Sequence, residues 1–330
     1  MKYTRNIRIA VTFICLLGSV GFVNALTISP VKLELSGDPG SAITGEFELF
    51  NEEKETKTLY SSFANFEARG ESGSPYFLSE KSGLSTWITT QPSIILDSGE
   101  RMVVPYSINI PQNVEPGGYF AAIFWGTSPP ESQDGGQVSI GGKLGILVLL
   151  TVSGETEQGG GLLSFSLAEN KKVTTGFPMI FSYRFSNDGA VRIKPDGEII
   201  VKNVFGGEVV KLQANSRDGN VLPKSIRKFD VVWLTKNQEK STNPSLPNNE
   251  EELGFFETVG NQVSNFALGP YTAQLNLIYG SDQQTVQKKF LFFVIPWQLL
   301  LIVLIIILIL VFGLKRYNHW IISRHKTHNT

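Results

Sequence analysis

Residues 296–314 contain a single polar side chain, Gln298, and the run from Leu299 to Phe312 is wholly leucine, isoleucine, valine and phenylalanine. At ~1.5 Å per residue a helix over this stretch is roughly 28 Å long, close to the ~30 Å hydrocarbon thickness of a bilayer. Each central apolar residue favours insertion by about 0.3–0.6 kcal/mol. Trp297 precedes the run and Tyr317 and Trp320 follow it, where an aromatic belt belongs. Lys315, Arg316, Arg324 and Lys326 come after it, against Lys288 and Lys289 just before it. That excess predicts a membrane-spanning helix over 296–314 and a basic cytoplasmic tail over 315–330. Everything before residue 296 then lies outside, in a single-pass type I arrangement in the cell membrane.

The other end agrees. Lys2, Arg5 and Arg8 precede a mostly apolar stretch, and Val23-Asn24-Ala25 offers small residues at a cleavage position. This predicts a signal peptide over 1–25, too short in its apolar part for a spanning anchor.

Charge and rare residues narrow the chemistry. All 30 acidic residues lie between 26 and 295, with 22 of the 29 lysines and arginines, a net −8 for that segment. Such a surface disfavours nucleic acid or an anionic lipid surface as its main partner. Cys15, the one cysteine, falls in the signal peptide, so no disulfide and no thiolate ligand is expected in the mature chain. The three histidines, His319, His325 and His328, all lie in the tail. Ser-His and Cys-His catalysis and the usual zinc sites are therefore not expected outside the membrane.

Between 26 and 295 no long helical period is sustained. Short alternating apolar runs broken by Gly, Pro, Asn and Asp recur about every ten residues, the pattern of an all-β protein built from sandwiches. Strands are expected at 27–35, 45–50, 58–66, 93–96, 102–110, 118–125, 138–152, 162–167, 179–185, 198–204, 208–213, 226–234, 269–277 and 284–294. The polar, Gly-rich segment 154–161 predicts a linker between a first domain over 26–153 and a second over 162–295. Residues 236–254 form a polar insertion with two prolines and three consecutive glutamates, expected as a surface loop. Asn187-Asp188-Gly189, Asp196-Gly197 and Asp218-Gly219-Asn220 supply residues that tolerate positive φ in tight turns, and their spacing matches no calcium loop.

No catalytic constellation is visible, and no cofactor is expected. Gly135-Gly136 and Gly159-Gly160-Gly161 lack the Lys-Ser/Thr that follows in a phosphate loop. One feature exceeds ordinary packing. Residues 118–125 are apolar on both faces, with Tyr119, Ala121, Ile123 and Trp125 against Phe120, Ala122 and Phe124, and 144–152 repeat the pattern. A two-layer sandwich buries one face of each strand, so this pair needs a second cover. Trp87, Tyr119, Phe120, Phe124 and Trp125 are accordingly the candidate ligand- or partner-binding residues, with the tryptophans able either to stack on sugars or to sit in the core.

The segments L-T-I-S-P-V-K-L-E (26–34), E-F-E-L-F-N (46–51), W-I-T-T-Q-P (87–92), L-D-S-G-E (96–100) and I-P-Q-N-V-E-P-G-G-Y-F-A-A-I-F (110–124) follow one another in order. Together they resemble the N-terminal domain of bacterial WxL-interacting proteins. The resemblance is thinner beyond, resting on N-D-G (187–189), P-D-G-E-I (195–199) and L-P-K-S-I-R (222–227). The first-domain pattern is also shared loosely with pilus chaperones. The resemblance implies two tandem immunoglobulin-like sandwiches before the anchor, the first binding peptidoglycan and the second engaging host or partner proteins. The expected function is a non-catalytic, membrane-anchored surface scaffold that holds cell-wall polymer or a secreted partner protein. An anchored glycan-cleaving enzyme using carboxylates from distant strands is one alternative. A chaperone-like donor for exported subunits is the other.

Overall fold

The computed structural model describes residues 25–129, 142–234 and 254–326. The expected signal peptide up to Asn24 and the insertion up to residue 253 lie outside the described residues. The described chain is mostly β-sheet, with several sheets and one long apolar helix at its C-terminal end. It divides into two compact units, the first over residues 25–67 and 76–155 and the second over Ala68–Pro75 with Thr156–Thr330.

The first unit is a β-sandwich. Its strands are β1 (Leu26–Ser29), β2 (Lys32–Gly37), β3 (Ala42–Asn51), β4 (Lys57–Ala68), β5 (Pro75–Phe77), β6 (Ile88–Thr90), β7 (Ser93–Leu96), β8 (Arg101–Asn109), β9 (Gly117–Gly126) and β10 (Lys143–Val152), with a one-turn helix α1 (Leu84–Trp87) before β6. One sheet runs β1-β3-β8-β6; the other runs β2-β10-β9-β4-β5, with β7 also paired to β4. The strand expected over 27–35 is two, because Pro30 has no N–H to give a ladder. β1 pairs antiparallel with β3 in one sheet and β2 pairs parallel with β10 in the other. Alternation sets the inner face: Phe47 and Leu49, Val104 and Ile108, Ile123 and Trp125, Ile146 and Val148 meet in one buried cluster.

The second unit repeats the plan with β11 (Gly160–Leu167), β12 (Val173–Thr174), β13 (Met179–Asn187), β14 (Asp196–Asn203), β15 (Glu208–Gln213), β16 (Ser225–Trp233), β17 (Gly269–Tyr279) and β18 (Gln284–Val294). A three-stranded sheet β11-β13-β16 faces a five-stranded sheet β12-β18-β17-β14-β15. Phe181, Tyr183 and Phe185, at every second position of β13, pack into a cluster with Ile199, Leu275 and Phe292. Here too a short strand, β12, pairs parallel with the last one, β18.

Each unit ends one strand on a buried asparagine. Asn51 donates from Nδ2 to the carbonyls of Glu55 (2.8 Å) and Leu96 (3.0 Å) and accepts from the Glu53 amide (3.0 Å). Asn187 donates to Val191 (2.8 Å) and Val221 (2.9 Å) and accepts from Gly189 (3.0 Å). Both side chains tie a turn to the core, which satisfies carbonyls that would otherwise be buried unpaired.

Two helices complete the second unit. A ten-residue helix α2 (Phe255–Ser264), which the sequence pattern did not announce, precedes β17, and α3 (Trp297–Lys326) follows β18. The α3 stretch Trp297–Trp320 is long and apolar enough to cross a membrane, and no residue of its most apolar 18-residue window is fully buried. The helix runs past the expected boundary at 314 and includes Lys315 and Arg316 of the expected basic tail.

Candidate partner-binding face

β9 and β10 pair antiparallel without interruption from Gly117↔Val152 to Gly126↔Lys143. β4 flanks β9 on its other side, with Ser61 opposite Trp125 and Ser62 opposite Phe124. Residues opposite each other share a face, so the register sorts every side chain. Trp125, Ile123, Ala121 and Tyr119 point into the sandwich. Phe124, Ala122 and Phe120 point the other way, beside Leu147 and Leu149.

This sorting splits the five candidate residues. Trp125 has no exposed surface and lies 6.3 Å from the Phe47 ring, inside the core cluster. A side chain without accessible surface cannot touch a partner, so Trp125 leaves the candidate set. Its indole Nε1 is buried with no hydrogen-bond partner among the described residues. Trp87, at the end of α1, and Tyr119 are half-buried at the margin of the same core, their rings 4.8 Å apart. The Tyr119 hydroxyl donates to the Glu115 carbonyl at 2.8 Å. Burial, and then the nearby Glu115 carboxylate, push the Tyr119 phenol above its ordinary range.

Phe120 and Phe124 stand on the outer face, both half-buried. Phe124 makes an edge contact with Phe77 at 4.9 Å, and Phe120 lies 5.9 Å from Phe66, which itself is 6.0 Å from Phe77. Phe77 is 40% exposed, and Ile95 of β7, opposite Thr58 on the same face, is 63% exposed. The outer face of the sheet is therefore rich in aromatic and apolar side chains, of which Ala122, Phe66 and Leu149 are buried, Phe120 and Phe124 half-buried, and Phe77 and Ile95 exposed, with Thr58 and Ser62 of β4 among them. Phe66, Phe77 and Ile95 were not among the residues singled out from sequence. Phe66 and Ile95 lay in expected strands, but Phe77 sits in a three-residue strand with no period to read.

The second unit holds a cleft of about 430 Å³ lined by Glu71, Asn215, Arg217, Arg227 and Asp230, among others. Arg227 is its most buried cation. Gly73 (φ +76°) and Gly219 approach so closely that a Cβ on either would meet the guanidinium, and Nη1 donates to the Asn220 carbonyl at 2.7 Å. Burial pushes the Arg227 guanidinium down. Arg184 donates two hydrogen bonds to the Glu71 carboxylate, one of 2.8 Å to Oε2, and they hold that carboxyl below its usual range. A general acid for glycoside cleavage needs the opposite shift. Among the described residues no group of three or more His, Cys, Asp or Glu side chains is placed to hold a metal ion.

No protein-family model matches the chain. No curated protein matches it either. Solved structures give likenesses at low identity. The class 5 fimbriae chaperone CfaA is 12% identical, with 80% of this chain and 98% of that chain covered at a TM-score of 0.37. The E. coli chaperone DraB is 11% identical over 82% of this chain and 97% of its own, at 0.35. The SafB chaperone structure with Salmonella enterica SafA pilin is 7% identical over 83% and 99%, at 0.34. No functional statement about this chain follows from scores at that level.

Proposed function

We propose that the protein is a non-catalytic, membrane-anchored surface module of two tandem immunoglobulin-like sandwiches that retains a secreted or surface protein close to the membrane. The outer face of the β4–β9–β10 sheet carries this reading. It presents Phe120, Phe124, Phe77 and Ile95 on the side away from the core, where a lone sandwich would place polar residues. α3 supports the anchor, with the first unit outside the cell and the basic end of the helix inside. The motif resemblance to WxL-interacting proteins supports the surface role. Trp125 offers no ring for sugar stacking, since it has no exposed surface.

A chaperone-like role is the second reading, favoured by the length and two-sided apolarity of β10. Strand exchange at β10 has an obstacle. β9 occupies one edge and β2 the other, so an incoming strand must first displace β2.

The test uses the full chain in detergent, offered separately to cell-wall sacculi and to the proteins exported by the same cells. Capture of one defined exported protein by the parent chain, and its loss in Phe124→Asp, is the expected outcome. Equal retention on sacculi by parent and variant would contradict the reading, as would release of soluble sugar fragments.

A further inference from the structure

α2 is turned inside out for a helix on a water-exposed protein. Such helices bury their apolar stripe and show polar residues to solvent. In α2 the buried residue is Gln262, whose side chain bonds to the Thr175 carbonyl, to Gln298 and to the Leu299 amide. Asn261 likewise donates inward, to the Phe177 carbonyl at 3.1 Å. Phe256, Val259 and Val263 are spaced i, i+3, i+7 on one stripe; Phe256 is 81% exposed and Val263 59%, while Val259 is half-buried.

The exposed apolar surface does not stop at the helix. Phe266 and Leu268, just after it, are exposed, as are Phe293 and Ile295 at the end of β18 and Trp297 at the start of α3. The Phe255 ring lies 6.2 Å from that of Trp297. This collar of exposed apolar residues flanks the start of α3 along the chain, and Gln262 fixes α2 to the first turn of that helix. Glu257 is the one charged side chain in α2.

We propose that α2 and this collar lie in the membrane–water interface, with Phe256, Val259 and Val263 in the lipid headgroup and upper acyl region. The proposal rests on α3 spanning the bilayer. It adds that the second unit sits down on the lipid rather than standing off on a tether. Interfacial helices place an apolar face some 5–10 Å into the headgroup boundary. With no lysine or arginine in α2, attachment here is apolar, and zwitterionic lipid suffices.

The experiment places single cysteines in the full chain on a Cys15→Ala background, each carrying a polarity-sensitive fluorophore, in phosphatidylcholine vesicles with and without brominated acyl chains. Labels at Val263→Cys and Phe256→Cys are expected to be blue-shifted and to lose fluorescence to shallow bromines. A label at Glu257→Cys, on the exposed flank of the helix beside the stripe, should stay wet and unquenched. Leu308→Cys reports on the span itself and should lose fluorescence to deep bromines. A wet label at 263 with a quenched label at 308 overturns the interfacial placement alone. A wet label at 308 overturns the span and the placement with it. A dry label at 263 that brominated lipid leaves unquenched means that protein covers the stripe, and that also overturns the proposal.

Discussion

Gln262 in α2 donates a 2.7 Å hydrogen bond to the side-chain carbonyl of Gln298 in the first turn of α3, and its own carbonyl accepts from the Leu299 amide at 3.0 Å. The first four amides of any helix lack an internal partner. Here a side chain from another helix satisfies one of them. Gln262→Ala should strand the Leu299 amide and the Thr175 carbonyl. The expected cost is about 1–3 kcal/mol of local stability. Hydrogen exchange at the start of α3 would show it as faster exchange, with β9 and β10 unaffected.

The paired asparagines give a second expectation. Asn51→Ala and Asn187→Ala each remove a buried side chain that satisfies one amide and several carbonyls, three for Asn51 and two for Asn187. Leaving such groups unpaired costs about 1–3 kcal/mol each. Urea unfolding should show a lowered midpoint for both variants. A leucine at either site should do no better, since it supplies no polar atom.

Trp125 and Phe124 are neighbours in sequence with opposite roles. Trp125→Ala opens a cavity in the first unit and should destabilise it by about 3–5 kcal/mol. Phe124→Asp, on the outer face, should cost far less stability and instead abolish partner retention. Thermal unfolding of the two variants side by side checks this, with Trp125→Ala expected to have much the lower Tm.

The Glu71–Arg184 pair has a pH signature. Hydrogen bonds from Arg184 depress the Glu71 carboxyl in the folded state. A depressed carboxyl contributes stability above its unfolded pKa of about 4.3, and that contribution is lost as pH falls through the lower folded value. Glu71→Gln should therefore be less stable than the parent near pH 7, and the gap should close in acid. Both partners are partly exposed, so added salt should shrink the gap as well. Urea midpoints of parent and variant across this range decide it.

Strand positions were largely legible. β18 begins and ends where alternation placed it, at Gln284 and Val294, and the apolar run announced α3 and its start, though not its continuation from Lys315 to Lys326. The strand expected from 138 starts instead at Lys143, after residues outside the described chain. α2 escaped notice because its inward face is Gln262, Asn261 and Thr258. A search for apolar residues facing a core finds no helix there. At the candidate face, sequence showed that β9 is apolar on both sides but not which side meets the core. Period-two alternation is symmetric, and only the register with β4 and β10 breaks the symmetry. That is why Trp125 and Phe124 entered the candidate set together and the structure parts them.

The most direct measurement of the central claim is photo-cross-linking in intact cells. A benzophenone side chain replaces Phe124 on the outer face in one full-length variant and, in another, Phe63 of β4, which lies opposite Ile123 and packs against the core. A discrete exported protein attached at position 124 and absent at position 63 is the expected result. No adduct at 124, or an adduct only with cell-wall polymer, would contradict a protein-retaining role for this face.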